Sequence, residues 1–109
     1  MIKDLRLKNI LFIDTSSNKE ITIGLTSNGK ENKVTKVLSS HRDQVVLPMI
    51  IGLLEKNNLA FQDLSEIEVV TGPGSFTGLR VGVAIANALS YSLNIPINGS
   101  MTPVEPTYS

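Results

Sequence analysis

Two groups of residues in this sequence have the types and spacing that could do chemistry. The first is a glycine-rich run, Thr71 to Gly82, which lies between an apolar strand-like run and a long helical pattern. A glycine-rich turn between a strand and a helix directs free backbone N–H groups at one point, where an anion or a polar group of a partner can bind. The second group is Asp14 with Thr15 and Ser16, placed at the end of the first strand-like run, where a carboxylate could hold a metal.

Nine residues of these groups could contact an anion or a nucleotide. They do so through a carboxylate, a hydroxyl, a guanidinium or the backbone of a glycine. They are Asp14, Thr15, Ser16, Gly72, Gly74, Ser75, Thr77, Gly78 and Arg80. Known phosphate-binding patterns fit the run poorly, because Leu79 stands where a P-loop needs lysine and three residues, not two, separate Gly74 from Gly78. The alternative interpretation is a tight strand-to-helix connection, in which Pro73 fixes φ and the glycines adopt unusual backbone angles.

Other candidates for catalysis are few, and we predict no catalytic residue and no metal site. His41 is the only histidine and the chain has no cysteine, so a histidine-based zinc site cannot be assembled within it. A two-metal nuclease is not expected, because Thr71 and Gly72 follow the fourth strand-like run where a further carboxylate is needed. A single aspartate at a strand end, such as Asp14, is also typical of a turn residue.

Composition narrows the classes of function further. The chain has 109 residues, with ten basic and ten acidic side chains and no basic stripe, so we expect one small domain that does not bind nucleic acid strongly by itself. The absence of cysteine fits a cytoplasmic location. The N-terminal residues lack the apolar stretch of a signal peptide, and the longest apolar run, Val45 to Leu54, is too short to span a membrane.

Periodicity and turn signals predict an α/β domain in the order βββαβαβ, with a mixed five-stranded sheet and two principal helices. The Asn28-Gly29 pair predicts a hairpin turn between the second and third strands. We expect residues 1–100 to form one lobe and residues 101–109 an extended or disordered tail. The predicted strands are 10–13, 20–26, 32–38, 67–70 and 95–97, and the predicted helices are His41 to Lys56, capped by Ser40, and Phe76 to Leu93.

The two predicted helices carry more apolar surface than one sheet can cover. In the first, apolar residues spread over roughly 200° of the helical wheel, whereas packing on a sheet needs about 100°. In the second, we assign Val81, Ile85 and Leu89 to the sheet, and the small residues Gly78, Gly82, Ala86 and Ser90 to close approach of another helix. Either the helices bury each other, or they bind a partner. The predicted interface residues are Leu47, Ile51, Leu54, Val83, Ala84, Asn87 and Tyr91.

The run GPGSFTGLRVG, from Gly72 to Gly82, resembles the signature of the TsaB (YeaZ) family in the M22 glycoprotease-like superfamily. Further matches are Ile13 to Ser16, His41 with Leu47-Pro48, and Asn94 to Gly99, so the resemblance covers nearly the whole chain. It implies a ribonuclease-H-like, actin-like ATPase lobe. It also implies a non-catalytic accessory subunit of the machinery that adds threonylcarbamoyl to tRNA adenosine. Its implied partners are TsaD, the transferase, and TsaE, an ATPase. The resemblance implies no cofactor in this chain, and it allows ATP binding only in the assembled complex.

The resemblance also bears on catalysis and assembly. TsaD-like relatives place a metal-binding histidine pair after the last strand of this lobe, whereas Asn98 to Thr102 contains no histidine, so the resemblance implies a subunit that is not the transferase. Family members dimerise through a bundle of the two helices, which agrees with the surplus apolar surface. They commonly carry a second α/β lobe, which we expect to be absent here. The alternative function is an ATP-binding actin-like enzyme that uses Asp14 and the glycine-rich run.

Overall fold

The computed structural model describes residues 8–38 and 44–107. Its helices and strands follow the predicted order closely, although the predicted start of the first helix, with Ser40 and His41, lies outside the described residues. The elements are β1 (Asn9–Asp14), β2 (Glu20–Ser27), β3 (Lys30–Val37), α1 (Val46–Lys56), a 3₁₀ helix (Phe61–Asp63), β4 (Glu66–Val69) and α2 (Phe76–Leu93). Neither α1 nor α2 is long and apolar enough to cross a membrane.

The strands form one mixed sheet in the order β3-β2-β1-β4. β1 pairs antiparallel with β2 and parallel with β4, and β2 pairs antiparallel with β3. Asn28 and Gly29 link β2 to β3 with positive φ angles of 55° and 78°, which match the right-handed twist of the two strands. The Asn-Gly hairpin is therefore where the sequence predicts it.

The predicted fifth strand, Ile95 to Ile97, is not confirmed, and the described residues form a four-stranded sheet. Ile97 makes only an isolated parallel bridge to Ile67. The chain then turns back at Asn98 (φ 49°) and Gly99 (φ 78°). The Asn98 side chain binds the backbone groups of Val69 that a longer fifth strand would pair. Its Oδ1 accepts from the Val69 N–H at 2.8 Å, and its Nδ2 donates to the Val69 carbonyl at 3.0 Å.

The core lies on one face of the sheet. The register places Leu11 beside Leu25 and Ile67, and these side chains are buried on the same face. Buried residues of α1 and α2 belong to the same hydrophobic cluster, so both helices cover this face. α1 packs over β2, and α2 packs over β4 and β1. All residues of β3 are exposed, and this strand is an edge of the sheet.

The orientation of α2 is the reverse of the predicted one. Its buried positions are Gly78, Leu79, Gly82, Val83, Ala86 and Ser90. The small residues, with Leu79 and Val83, therefore face the sheet, whereas Val81, Ile85 and Leu89 are half-buried and pack against the edge of the hydrophobic core. The physical reason is the closeness of α2 to the end of β1, where the Thr15 hydroxyl donates to the Gly78 carbonyl at 2.6 Å. A larger side chain at Gly82 would collide with the side chain of Thr15.

Candidate functional site

The two groups of candidate residues meet at the carboxyl ends of β1 and β4, as parallel neighbouring strands require. The turn after β1 packs directly on the glycine-rich loop, which we define as residues 71–75. The Ser75 N–H donates to the Ser16 carbonyl at 2.7 Å, and Thr15, one residue earlier, is fully buried against the first turn of α2. The sequence-predicted loop residues are thus brought together in space.

The carboxylate of Asp14 is held within its own turn. Its Oδ1 accepts from the Ser16 N–H at 2.9 Å and from the Ser16 hydroxyl at 2.6 Å. These bonds are those of a turn-stabilising aspartate. Within residues 8–38 and 44–107, no three His, Cys, Asp or Glu side chains come together as a possible metal site.

Close packing of backbone on backbone explains two glycines of the loop. A β-carbon at Gly74 would lie 2.6 Å from the carbonyl oxygen of Ser16, closer than such contacts allow. Gly72 has φ near +140°, a conformation that other residues rarely adopt, and a β-carbon there would collide with the carbonyl oxygen of Thr107. The space beside both glycines is thus filled by atoms of the chain itself.

The start of α2 is also satisfied from within the chain. The Ser75 hydroxyl caps the helix by accepting from the Gly78 N–H at 3.3 Å. Arg80, an exposed member of the predicted set, places its guanidinium 5.5 Å from the centre of the Phe76 ring. Thr77 is exposed. This geometry favours the interpretation of the loop as a tight strand-to-helix connection.

The predicted interface residues divide into two groups. Leu54 and Val83 belong to the core of the chain itself and are 2% and 3% exposed. Leu47, Ile51 and Tyr91 are 41%, 38% and 89% exposed, and Ala84 is exposed as well. Asn87 is half-buried, since its side chain binds the backbone of Val104.

The surface that α1 and α2 turn away from the sheet carries little charge. Arg80 is the one charged residue in the 18 residues of α2, and Glu55 and Lys56 close the 11 residues of α1. Helices that face water on one side normally carry several charges there. Depletion of charge, with exposed aromatic and aliphatic side chains, is typical of surfaces that bind another protein.

Sequence reasoning missed two features close to this surface. One is a cleft of about 220 Å³ between the second half of α1 and the 3₁₀ helix, to which Ile51, Leu59 and Phe61 contribute. The other is the path of residues 103–107, which run beside α2 and bind it through Asn87. The proline pair Pro103 and Pro106 signals extended backbone, but nothing in the sequence signals where that backbone binds.

Comparisons with known proteins point to one group. The family model described as TsaD, tRNA N6-adenosine threonylcarbamoyltransferase, matches residues 33–100. The Bacillus subtilis protein named tRNA threonylcarbamoyladenosine biosynthesis protein TsaB is 38% identical over 92 residues, which are 82% of this chain and 39% of the relative. The Escherichia coli protein of the same name is 31% identical over 93 residues, 85% of this chain and 40% of the relative.

Solved structures agree with these relatives. The structure of YeaZ from Pseudomonas aeruginosa superimposes with a TM-score of 0.79 at 27% identity, covering 84% of this chain and 42% of that protein. The chain therefore spans about two-fifths of the length of the proteins that it matches.

Proposed function

The chain belongs to the TsaB (YeaZ) family, and on that basis we propose that it is an accessory subunit in tRNA threonylcarbamoyladenosine biosynthesis. In this proposal it is a non-catalytic scaffold that binds and activates a TsaD-like transferase through α1 and α2. A TsaE-like ATPase acts with the assembled complex, this chain holds no cofactor by itself, and any ATP binding requires the assembled complex.

One observation carries the proposal: the nearly uncharged outer surface of the two helices. Leu47 and Ile51 of α1 and Ala84 and Tyr91 of α2 are exposed. The charged residues of the two helices are Arg80 in α2 and Glu55 and Lys56 at the end of α1. Joining this surface to a like pair of helices would make a four-helix bundle with apolar side chains inside. The like pair could belong to a transferase subunit or to a second copy of the chain.

The packing of the glycine-rich loop supports a role without catalysis. The Asp14 carboxylate binds Ser16, and the loop is filled by Ser16 and Thr107 rather than left open. The competing proposal, an ATP-binding enzyme, rests on the meeting of Asp14 with the loop at the carboxyl ends of two parallel strands, the usual position of ligand sites in α/β proteins.

Substitution on the outer surface of α2 tests the scaffold proposal. Ala84→Arg places a long cation at the centre of the proposed bundle, where it would be buried without a partner, so we expect the TsaD-like subunit no longer to co-purify. The matched control is Val37→Glu, which adds a charge at a 76% exposed position of the edge strand β3 and should leave binding intact. Equal binding by wild type and Ala84→Arg, both folded by circular dichroism, would refute the helix pair as the interface.

A further inference from the structure

Residues 103–107, here called the strap, form no helix or strand and run beside α2. The strap reads Pro-Val-Glu-Pro-Thr. Val104 is half-buried and packs against the hydrophobic core, while Glu105 is exposed. The strap is therefore a segment in contact with the domain.

The first anchor of the strap is the side-chain amide of Asn87. Its Nδ2 donates to the Val104 carbonyl at 2.9 Å, and its Oδ1 accepts from the Val104 N–H at 3.0 Å. One amide side chain thus binds both backbone groups of one residue, as a neighbouring strand would. Such a contact recognises extended backbone and reads no side chain.

The second anchor lies at the glycine-rich loop. The Thr107 N–H donates to the Thr71 carbonyl at 2.6 Å, and the Thr107 carbonyl lies against Gly72 where a β-carbon would stand. The anchors engage residues three apart on the strap, so the segment between them is held at both ends. The positive φ of Gly72 and the side-chain amide of Asn87 both contribute to holding one extended segment.

Two clefts lie between the strap and α2. Clefts of about 350 Å³ lie on either side of the Asn87–Val104 contact. One is bounded by Arg80, Ala84 and Pro106, and the other by Tyr91, Met101 and Pro103. The strap is therefore not closely packed on α2 away from the Asn87–Val104 contact.

We propose that Asn87, Thr71 and Gly72 form a binding site for an extended, proline-flanked peptide, and that the strap occupies this site in cis. Proline on each side lowers the conformational entropy lost when the segment is held extended, and a small apolar residue between the prolines fills the position of Val104. Recognition of backbone at two points with one apolar side chain is a common mode of binding extended peptides. The proposal commits to the strap as the occupant and to a peptide of the same sequence as its equivalent in trans.

Hydrogen exchange of the full-length ¹⁵N-labelled chain tests occupancy in cis. In the wild type, the amides of Val104 and Thr107 should exchange more slowly than that of Glu105. Asn87→Asp removes the donor to the Val104 carbonyl and sets a carboxylate beside it, and Val104→Pro removes the N–H that the amide binds. Each should speed exchange at Thr107 by roughly threefold to tenfold, since a hydrogen bond contributes about that factor. Glu105→Pro, at a strap residue outside both anchors, is the matched control and should leave Thr107 protected.

A peptide of residues 101–109 tests the site in trans. In Val104→Pro the strap is weakened and the site is intact, so the peptide should shift the backbone amide resonances of Ala84 and Thr71. Because a tethered segment acts at millimolar effective concentration, occupancy in cis requires a dissociation constant of about millimolar or lower for the free peptide. Asn87→Asp should show no such shifts. Ile23 in β2 reports that each variant is folded.

Two results would overturn the proposal. Unchanged protection of Thr107 in both Asn87→Asp and Val104→Pro would show that the anchors do not hold the strap. Equal peptide-induced shifts in Val104→Pro and Asn87→Asp would show that Asn87 does not form the site. Neither result depends on a transferase partner, so failure here is distinct from failure of the proposed function.

Discussion

At the scale of single residues, Thr15 sets how closely α2 approaches the sheet. It is fully buried at the end of β1, and its hydroxyl donates to the Gly78 carbonyl in the first turn of α2. Gly82 lies over the same side chain with no room for a β-carbon. A glycine in a helix interior costs about 1 kcal/mol relative to alanine, so this close contact is a reason for glycine at position 82.

Alanine at Gly82 should therefore destabilise the chain. We expect Gly82→Ala to lower the free energy of unfolding by about 1–3 kcal/mol, because the new methyl group overpacks against Thr15. Gly52→Ala in α1 is the matched control, since nothing lies within 4 Å of its β-carbon position, and it should be neutral or stabilising. Urea denaturation measures both.

The double variant Thr15→Ala with Gly82→Ala identifies the cause. If the collision is the cause, the double variant should lose less stability than the sum of the two single changes. Additive losses would assign the effect of Gly82→Ala to something other than Thr15.

At the scale of elements, small residues make up most of the sheet-facing surface of α2, together with Leu79 and Val83. Ala86 is fully buried against the sheet, while Ala88, two residues later, is exposed. The helix can lie close to β1 and β4 because its contact surface is made of such residues. The stripe of Val81, Ile85 and Leu89 is half-buried beside that contact and packs against the hydrophobic core.

Leucine substitution separates the two faces of α2. Ala86→Leu should lower the free energy of unfolding by about 1–3 kcal/mol, because the larger side chain has no space against the sheet. Ala88→Leu is the same alanine-to-leucine substitution on the exposed face of α2. It should change the free energy of unfolding by no more than about 0.5 kcal/mol. Thermal unfolding followed by circular dichroism compares them, and equal melting temperatures for the two variants would contradict the observed orientation.

The side chain of Asn98 explains why the sheet ends at β4 and has no fifth strand. Asn98 binds both backbone groups of Val69, and the chain reverses at Asn98 and Gly99. A side chain thus satisfies edge groups of β4 that a longer fifth strand would otherwise pair. This is the physical reason why a strand-like sequence, Ile95 to Ile97, makes only one bridge to the sheet.

At the scale of the whole molecule, the two functional hypotheses occupy different regions. The loop end of the sheet is filled by the turn after β1 and by the strap, whereas the outer surface of the helices is exposed and nearly uncharged. Nucleotide binding needs free N–H groups and space at the loop. Assembly needs only the helix surface.

We therefore expect the purified chain neither to hydrolyse Mg-ATP nor to transfer threonylcarbamoyl to tRNA by itself. The N–H groups of Ser75 and Gly78 already bind Ser16 and the Ser75 hydroxyl, which leaves the loop poorly suited to phosphate. A coupled phosphate-release assay on the isolated chain measures hydrolysis. Steady turnover by the wild-type chain would favour the enzyme hypothesis if Asp14→Ala abolishes it and Asp14→Asn lowers it, with both variants folded.

The sequence by itself determined the features that depend on neighbours along the chain. Three such local features lie where they are predicted: the alternating apolar residues of β2, the Asn28-Gly29 turn, and the span of α2 from Phe76 to Leu93. The glycine-rich motif and Asp14 were recognisable in the same way, as was the family. Local conformational preference and periodicity carry this information.

Only the tertiary structure decided which surfaces meet. Helical periodicity orders side chains around α2 but does not say which stripe packs on the sheet, and the size of Thr15 and the space at Gly82 settled that. The bonds of Asn87 to Val104 and of Asn98 to Val69 join residues 17 and 29 positions apart. Such contacts arise only when the folded chain brings distant backbone groups together, so no local sequence pattern predicts them.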